Sequence, residues 1–346
     1  MKRGSRKRRL VAVALATLAI LRGQPLSAAL AFPPQEMRAG EALSAAKTVS
    51  DEVGRRVAVP AEVRRVVSLA PNLTETLYAL GLQDRLVGDT NYCDVPPEAK
   101  LKPHVGTVLS PSIEAIVALR PDLVFATASI NRPETVDALE HLGIPVYTTD
   151  PHTVRGMVDS FGHIADLTGE AQQGAKLVGS LDARLEALHA RLADLPLMHV
   201  LFVVWLEPLI TIGQNTFIAD ALRWAGAESV VLSHQNWPQL SFEEVVRLQP
   251  DYIVVASSHE GEGERTMADL RGRAGWKDLQ AVQQGHVAII NEEIDRPAPA
   301  LIDAIEQLAK TLHPNAFSLD RPHDSGSRTH IARMLDEETR PAECAR

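Results

Sequence analysis

The chain has 346 residues, of which 45% are hydrophobic and 23% are charged, the balance of a folded protein with room for two domains. This composition excludes a mainly disordered or fibrous chain. Residues 1–31 carry seven basic side chains and no acidic one, so the remainder has 28 basic and 44 acidic residues and a net charge of −16. A surface with that charge repels nucleic acid, and we expect no nucleic-acid partner.

The first element in chain order is a predicted secretory signal peptide over residues 1–31. The basic start is followed by an uncharged run from Leu10 to Leu21 and then by small residues that end Ala29-Leu30-Ala31, so cleavage is expected before Phe32. Twelve helical residues span about 18 Å, too few for a hydrocarbon core of about 30 Å. No cysteine follows the run to take a lipid, and the sequence therefore predicts a periplasmic or secreted protein without a lipid anchor. Arg8-Arg9 allows either general or twin-arginine export.

Residues 32–50 and 314–346 are rich in Pro, Ala, Gly, Ser and charge with little periodicity, which predicts a flexible arm and a flexible tail. Between them, residues 51–150 alternate short apolar runs with helical patterns, the order of a parallel α/β lobe. The predicted elements are a strand at Val66–Leu69, a helix at Thr74–Gly81, a strand at Leu123–Ala126, a helix at Glu134–Gly143 and a strand at Val146–Thr149.

Residues 151–195 are predicted to connect two lobes. Within them, Ala171–Asp194 has leucines at positions 181, 185, 188 and 192, the spacing of one helix face, and a helix of that length measures about 36 Å. Pro196 ends it.

Residues 196–313 repeat the α/β order and are predicted to form a second lobe. Its predicted elements are a strand at Val200–Val204, a helix at Phe217–Gly226, a strand at Tyr252–Ala256, a helix near Met267–Leu270 and a strand at Val287–Ile290. The segment 112–122 matches 241–251 at six of eleven positions, which favours two related lobes. In both copies Ser is the predicted N-cap, and Pro-Asp ends the helix before a strand. The predicted fold is two Rossmann-like α/β lobes joined by one long backbone helix, with a ligand cleft between them.

The motifs of common enzyme classes are absent from the sequence: there is no G-x-S-x-G, no H-E-x-x-H and no G-x-x-x-x-G-K-[ST]. The twelve histidines are scattered singly, and Cys93 and Cys344 lack zinc-site or disulfide-framework spacing, so no metal site or resident cofactor is predicted. A zinc or manganese binder remains an alternative, with His104 and His234 nearest the loops expected at the cleft. An exported metal-dependent enzyme on the same fold is a further alternative.

Several segments carry a more specific resemblance. They are Arg65-Val-Val-Ser-Leu-Ala-Pro-Asn-x-Thr-Glu75, Ile113-Glu114 through Leu119-x-Pro-Asp-Leu-Val124, Trp237-Pro-Gln-x-Ser-x-Glu243, and Trp276-x-x-Leu-x-Ala-Val-x-x-Gly285. With them, residues 51–312 resemble the type III substrate-binding proteins of ABC importers, which carry cobalamin and iron complexes. Within that family the chain is most similar to the cobalamin-binding members. The resemblance implies a non-enzymatic protein, acting as a monomer, that delivers a metal chelate to a membrane permease. A corrinoid is the main expectation, and haem or a ferric siderophore are alternatives.

The resemblance also implies site residues. Pro71, Tyr92, Trp205 and Glu292 fall where cobalamin-binding relatives contact their ligand, and aromatic faces suit a planar macrocycle. From local pattern alone, Pro71-Asn72-x-x-Glu75 predicts a turn with Asn72 as N-cap and Glu75 as its reciprocal partner.

Glu114 and Glu243 occupy equivalent places in the repeat. By resemblance they are the two lobe-tip carboxylates that meet arginines of the permease, one in each lobe. Alternatively, each only complements its helix dipole, worth about 0.3–1 kcal/mol. Glu244 is predicted to form a capping box with Ser241.

Overall fold

The computed structural model describes residues 46–257 and 262–320, and all statements below concern those residues. The predicted signal peptide and most of the predicted arm and tail lie outside them. Two four-stranded parallel sheets, each flanked by helices, form two lobes, and a helical pair packs against both. None of the described helices has the length and hydropathy needed to cross a bilayer.

The N-terminal lobe is built around a sheet of strand order β4-β3-β5-β6. A short antiparallel pair, β1 with β2, precedes it. Its elements are β1 (Lys47–Ser50), β2 (Arg56–Val59), β3 (Val66–Ser68), α1 (Pro71–Ala79), β4 (Leu86–Gly88), a 3₁₀ helix (Pro97–Leu101), α2 (Ile113–Leu119), β5 (Leu123–Thr127), α3 (Pro133–His141) and β6 (Val146–Thr149).

Two helices follow, α4 (Val154–Thr168) and α5 (Ala171–Leu192), separated by a two-residue connection. They pack closely, since a Cβ on Gly174 of α5 would come within 2.4 Å of the Ala165 Cβ of α4. The leucines of the predicted face, 181, 185, 188 and 192, are all buried and pack with the core of the C-terminal lobe, while Leu177 also contacts the core of the N-terminal lobe. The helical pair therefore shares its apolar surface between the lobes.

The C-terminal lobe repeats the topology, with strand order β10-β7-β11-β12. Its elements are β7 (Met198–Val203), the hairpin β8 (Trp205–Leu206) and β9 (Leu209–Ile210), α6 (Phe217–Trp224), β10 (Ala227–Ser229), α7 (Phe242–Leu248), β11 (Tyr252–Ser257), α8 (Glu262–Gly272), a 3₁₀ helix (Trp276–Asp278), α9 (Gln280–Gln284), β12 (Val287–Asn291), a 3₁₀ turn (Glu292–Asp295), α10 (Leu301–Leu312) and a last 3₁₀ helix (Pro314–Asp320).

The internal repeat is visible in the helix ends. Ser112 and Ser241 cap α2 and α7, as predicted, by accepting hydrogen bonds from the backbone N–H groups three residues on. Both helices end on a non-glycine residue in the left-handed region, Arg120 at φ 48° and Gln249 at φ 46°, directly before the Pro-Asp pair. These two positions are 129 residues apart, the offset of the sequence repeat. The two lobes thus share even their unusual backbone geometry.

Three local expectations were wrong. Residues 47–50 do not belong to a flexible arm, because β1 pairs in register with β2 across a turn that the Asp51 carboxylate closes on Arg55. Residues 314–320 do not belong to a flexible tail, because they form a 3₁₀ helix packed through Phe317 on the core. Asn72 is not an N-cap: α1 begins at Pro71, whose fixed φ suits the first helical position, and Ala70 precedes it without a side-chain cap.

Candidate functional site

In both lobes the loops that follow the parallel strands gather at the carboxyl edge of the sheet, where open α/β sheets bind their ligands. Pro71 begins α1 just after β3, and Tyr92 lies in the loop after β4. Trp205 follows β7, and Glu292 begins the 3₁₀ turn after β12. Each of the four predicted ligand residues therefore lies at the carboxyl end of a strand.

An ion pair joins these loops across the two lobes. The Arg296 guanidinium donates to Oε1 of Glu75 on α1 at 3.1 Å and also to Glu292. Glu75 is one turn after Pro71, and the charge of Asp94, two residues after Tyr92, acts on both Glu75 and Arg296. Arg296 therefore lies where the Pro71, Tyr92 and Glu292 segments meet, although it is remote from Glu75 in sequence.

The fourth predicted residue lines an adjoining cavity. Trp205 and Asp295 share a cavity of about 420 Å³, and Asp295 is the residue before Arg296. The Trp205 indole N–H donates to the Glu207 carbonyl at 2.8 Å, which fixes the edge of the ring, while 61% of the residue stays exposed. Tyr92 is 57% exposed. Exposed aromatic side chains beside a cleft offer stacking surface at little entropic cost.

The acidic groups of this region have raised pKa values. Burial is the main cause of the raised pKa of the Glu75 carboxyl, and Arg296 opposes it. Asp295 lines the cavity beside Trp205, and desolvation, followed by repulsion from Glu292, raises its pKa to about 6. Desolvation also raises the pKa of Glu293. The carboxylates around Arg296 therefore outnumber the single positive charge that Arg296 supplies.

The loop that carries Tyr92 is anchored by a buried acidic residue. Asp89, fully buried, bonds through Oδ1 to the His104 ring at 2.7 Å, and its backbone bonds to Pro103 and Val105. Its Oδ2 has no partner among the described residues. Burial raises the pKa of Asp89 to about 6, with His104 partly opposing the rise.

Glu114 and Glu243 are both exposed in the first turns of α2 and α7. Glu114 accepts a hydrogen bond from Ser112 at 3.0 Å, and its own backbone N–H and this hydroxyl hold the pKa of the carboxyl below its usual range. The capping partner of Ser241 is Glu244 and not Glu243. The Glu244 carboxylate accepts a hydrogen bond from the Ser241 N–H at 2.8 Å, which confirms the predicted capping box.

An open depression borders each of the helices α2 and α7 that carry these two glutamates. The depression next to α2, about 640 Å³, includes Leu109 and Arg132, and the one next to α7, about 590 Å³, includes Leu232 and Arg247. Leu109 is 50% and Leu232 is 77% exposed. Each lobe therefore has, next to the helix that carries its glutamate, an open depression lined by an exposed leucine and an arginine.

Sequence reasoning missed two residues of the candidate site, Arg296 and Asp295. Arg296 and Asp295 follow Glu292 in sequence, and the run Glu-Glu-Ile-Asp-Arg could have identified them as a charged loop after a strand. In contrast, Trp276 is buried in the core of the C-terminal lobe.

The two histidines of the alternative metal site lie in different lobes. His104 is engaged with Asp89, and His234 lies in the depression beside α7. Within residues 46–257 and 262–320, no group of three or more His, Cys, Asp or Glu is arranged to hold a metal ion.

Comparison with known proteins identifies the class. The family model described as "Periplasmic binding protein" matches residues 66–294, and the chain belongs to this family. It is a solute-binding component of an ABC importer, a class that works outside the cytoplasmic membrane, binds a small ligand and works with a membrane permease. The predicted family and bilobal α/β fold are confirmed.

Individual relatives are similar over most of their length. The vitamin B12-binding protein of Vibrio cholerae serotype O1 is 29% identical over 258 residues, 74% of this chain and 91% of the relative. The crystal structure of the periplasmic vitamin B12-binding protein BtuF of Vibrio cholerae superposes with a TM-score of 0.65, covering 74% of this chain and 98% of that one. An uncharacterized ABC transporter substrate-binding lipoprotein of Bacillus subtilis, YvrC, is 29% identical and covers 78% of this chain and 86% of its own. The crystal structure of a periplasmic heme-binding protein from Pseudomonas aeruginosa superposes with a TM-score of 0.64 at 26% identity, covering 73% of this chain and 93% of that one.

Proposed function

We propose that this protein captures a corrinoid, cobalamin or a close relative of it, in the cleft between its lobes and delivers it to the permease of an ABC importer. The observation that carries the proposal is the pair of exposed aromatic residues, Tyr92 and Trp205, on loops that border the cleft of a chain similar to vitamin B12-binding proteins. A flat macrocycle stacked on such side chains buries a large apolar area without ordering flexible groups.

The remaining ligand contacts are assigned to Pro71 and Glu292. Pro71 offers a rigid apolar edge at the start of α1, and Glu292, held by Arg296, offers an oriented carboxylate that accepts hydrogen bonds from amide groups of a corrin ring. Capture followed by delivery needs no chemical step, and the protein is proposed to act as a monomer, without enzymatic activity or a resident cofactor, free of a lipid anchor after export.

Delivery is assigned to Glu114 and Glu243. Both carboxylates are exposed, one on each lobe, at equivalent positions of the repeat. A permease made of two related subunits would present its basic side chains twice, and one glutamate in each lobe matches that arrangement. The permease then releases the ligand by stabilising a state of the binding protein that holds it less tightly.

The test is calorimetric titration of the chain from Phe32 to Arg346 with cyanocobalamin, cobinamide, hemin and a ferric siderophore. We expect saturable one-to-one binding of a corrinoid. The substitution Trp205→Ala should weaken corrinoid binding about tenfold or more. The lost aromatic contact, together with the apolar area that it buries, is worth about 1.5 kcal/mol of binding free energy. Trp224→Phe is the matched control, since Trp224 packs away from the cleft against Arg155 and His189.

Binding of hemin alone would identify the ligand as haem and not a corrinoid, and would leave the assignment to the solute-binding proteins of ABC importers unchanged. Absence of binding to all four ligands, in a chain shown to be folded by circular dichroism, would refute the proposed ligand class.

A further inference from the structure

The cavity beside Trp205 has a charge that the proposed ligand class does not by itself explain. Two carboxylates, Glu207 and Asp295, line it, and its remaining lining residues are apolar or aromatic, with no basic side chain among them. Those lining residues are Val203, Val204, Trp205, Leu206, Val255 and Ala256.

The guanidinium next to this cavity is already engaged. Arg296 donates to Glu75 and to Glu292, so one positive charge is shared by two protein carboxylates. Glu293 and Asp94 add further negative charge that acts on the same cluster. A ligand carboxylate entering here would have to compete with Glu75 and Glu292 for Arg296 while approaching other carboxylates. The Glu207 side chain is paired with Arg273, but 78% of it is exposed, where such a pair is weak.

From this arrangement we infer that the cleft selects its ligand by peripheral charge: it accepts a macrocycle whose edge carries amides and rejects the same macrocycle with a carboxylate at the edge facing Glu207 and Asp295. The inference rests on the proposed function and narrows it to amidated, uncharged or cationic corrinoids. Amide N–H groups satisfy the carboxylate acceptors of the cavity, whereas a carboxylate offers them no donor and adds repulsion in a partly desolvated site. Haem, which carries two propionates, falls in the rejected class.

The experiment compares cyanocobalamin with its three monocarboxylic acids, in each of which one peripheral propionamide is hydrolysed. Each acid differs from cyanocobalamin by a single charge and almost no volume. We expect at least one of them to bind about tenfold or more weakly than cyanocobalamin to the wild-type chain near neutral pH, because like charges are brought together.

Protein variants assign the effect to named residues. In the double variant Glu207→Gln, Asp295→Asn the ratio between cyanocobalamin and the discriminated acid should fall to about threefold or less, since the repelling carboxylates are gone. Asp278→Asn is the matched control, an exposed aspartate of the same lobe outside the cavity, and should leave the ratio unchanged. Thermal unfolding of each variant confirms that it is folded.

The outcomes separate this inference from the proposal on which it rests. Failure of both cyanocobalamin and cobinamide to bind refutes the proposed function. Tight binding of cyanocobalamin together with equally tight binding of all three acids overturns only the charge selection. A ratio that persists in the double variant also overturns it, because Glu207 and Asp295 would then not be its source.

Discussion

Asp89 is a buried acidic residue whose surroundings make the stability of the protein depend on pH. Its side chain is fully buried, one oxygen bonds to His104, and burial raises its pKa to about 6 from the ordinary 3.8. A pKa that is higher in the folded than in the unfolded state means that the native protein takes up a proton as the pH falls through about 6. The contribution of Asp89 to stability is therefore complete at low pH and is lost as the pH rises through about 6.

We expect the free energy of unfolding of the wild type, relative to Asp89→Asn, to decline between about pH 4 and about pH 8 by up to about 3 kcal/mol. The asparagine keeps the shape and a hydrogen-bonding oxygen but does not titrate. Urea denaturation across this pH range measures the difference, with the exposed Asp84→Asn as control. Parallel curves for wild type and Asp89→Asn would contradict the assignment.

At the scale of elements, sequence periodicity predicted most of the strands and helices that depend on neighbouring residues alone. The strand Val146–Thr149 has the predicted bounds, and α5 differs from its prediction by two residues at its end. The caps of α2 and α7 followed from Ser at the right place, because a hydroxyl that accepts from the third N–H is a local interaction.

The wrong predictions at this scale concern segments whose structure is determined by residues far away in the sequence. β1 is a strand only because β2 pairs with it, and its own four residues, three of them polar, carry no strand signal strong enough to show this. Glu75 was expected to cap its own helix, but its carboxylate instead meets Arg296 from the other lobe. The same division holds for the candidate site: Pro71, Tyr92, Trp205 and Glu292 could be named because they follow strands, whereas the Arg296–Glu75 pair depends on how the lobes meet.

At the scale of the whole molecule, the lobe tips carry the docking hypothesis. Reversing both Glu114 and Glu243 to lysine should leave ligand affinity unchanged, since both lie in the first turns of α2 and α7, outside the cavity beside Trp205 that we propose binds the ligand. Uptake of labelled corrinoid by cells that depend on this protein should fall about tenfold or more, because two charge pairs with the permease become repulsive.

The control for this reversal is the pair Asp166→Lys, Asp194→Lys, which makes the same change in net charge at exposed positions on and just after the helical pair α4 and α5. Undiminished uptake in Glu114→Lys, Glu243→Lys, or an equal loss in the control pair, would refute docking through these two residues and leave them as helix-dipole partners.

The Glu75–Arg296 pair makes a prediction about how the lobes are held together. Glu75 lies on α1 of one lobe and is buried, and Arg296 reaches it from the other lobe with an N–O distance of 3.1 Å. Removing one partner of a buried pair leaves an uncompensated charge, so Arg296→Ala should destabilise the protein by about 3 kcal/mol near neutral pH. Because burial already raises the pKa of Glu75, the loss of Arg296 should raise that pKa further. The loss of stability in Arg296→Ala should therefore shrink on acidification, as Glu75 takes up a proton.

A second substitution tests whether the charge of Glu75 is the cause. Glu75→Gln in the Arg296→Ala background should restore part of the stability at about pH 8 and little at about pH 5, measured by urea denaturation. A deficit that does not depend on pH, or one that Glu75→Gln does not relieve, would show that Arg296 acts through packing and not through its charge on Glu75.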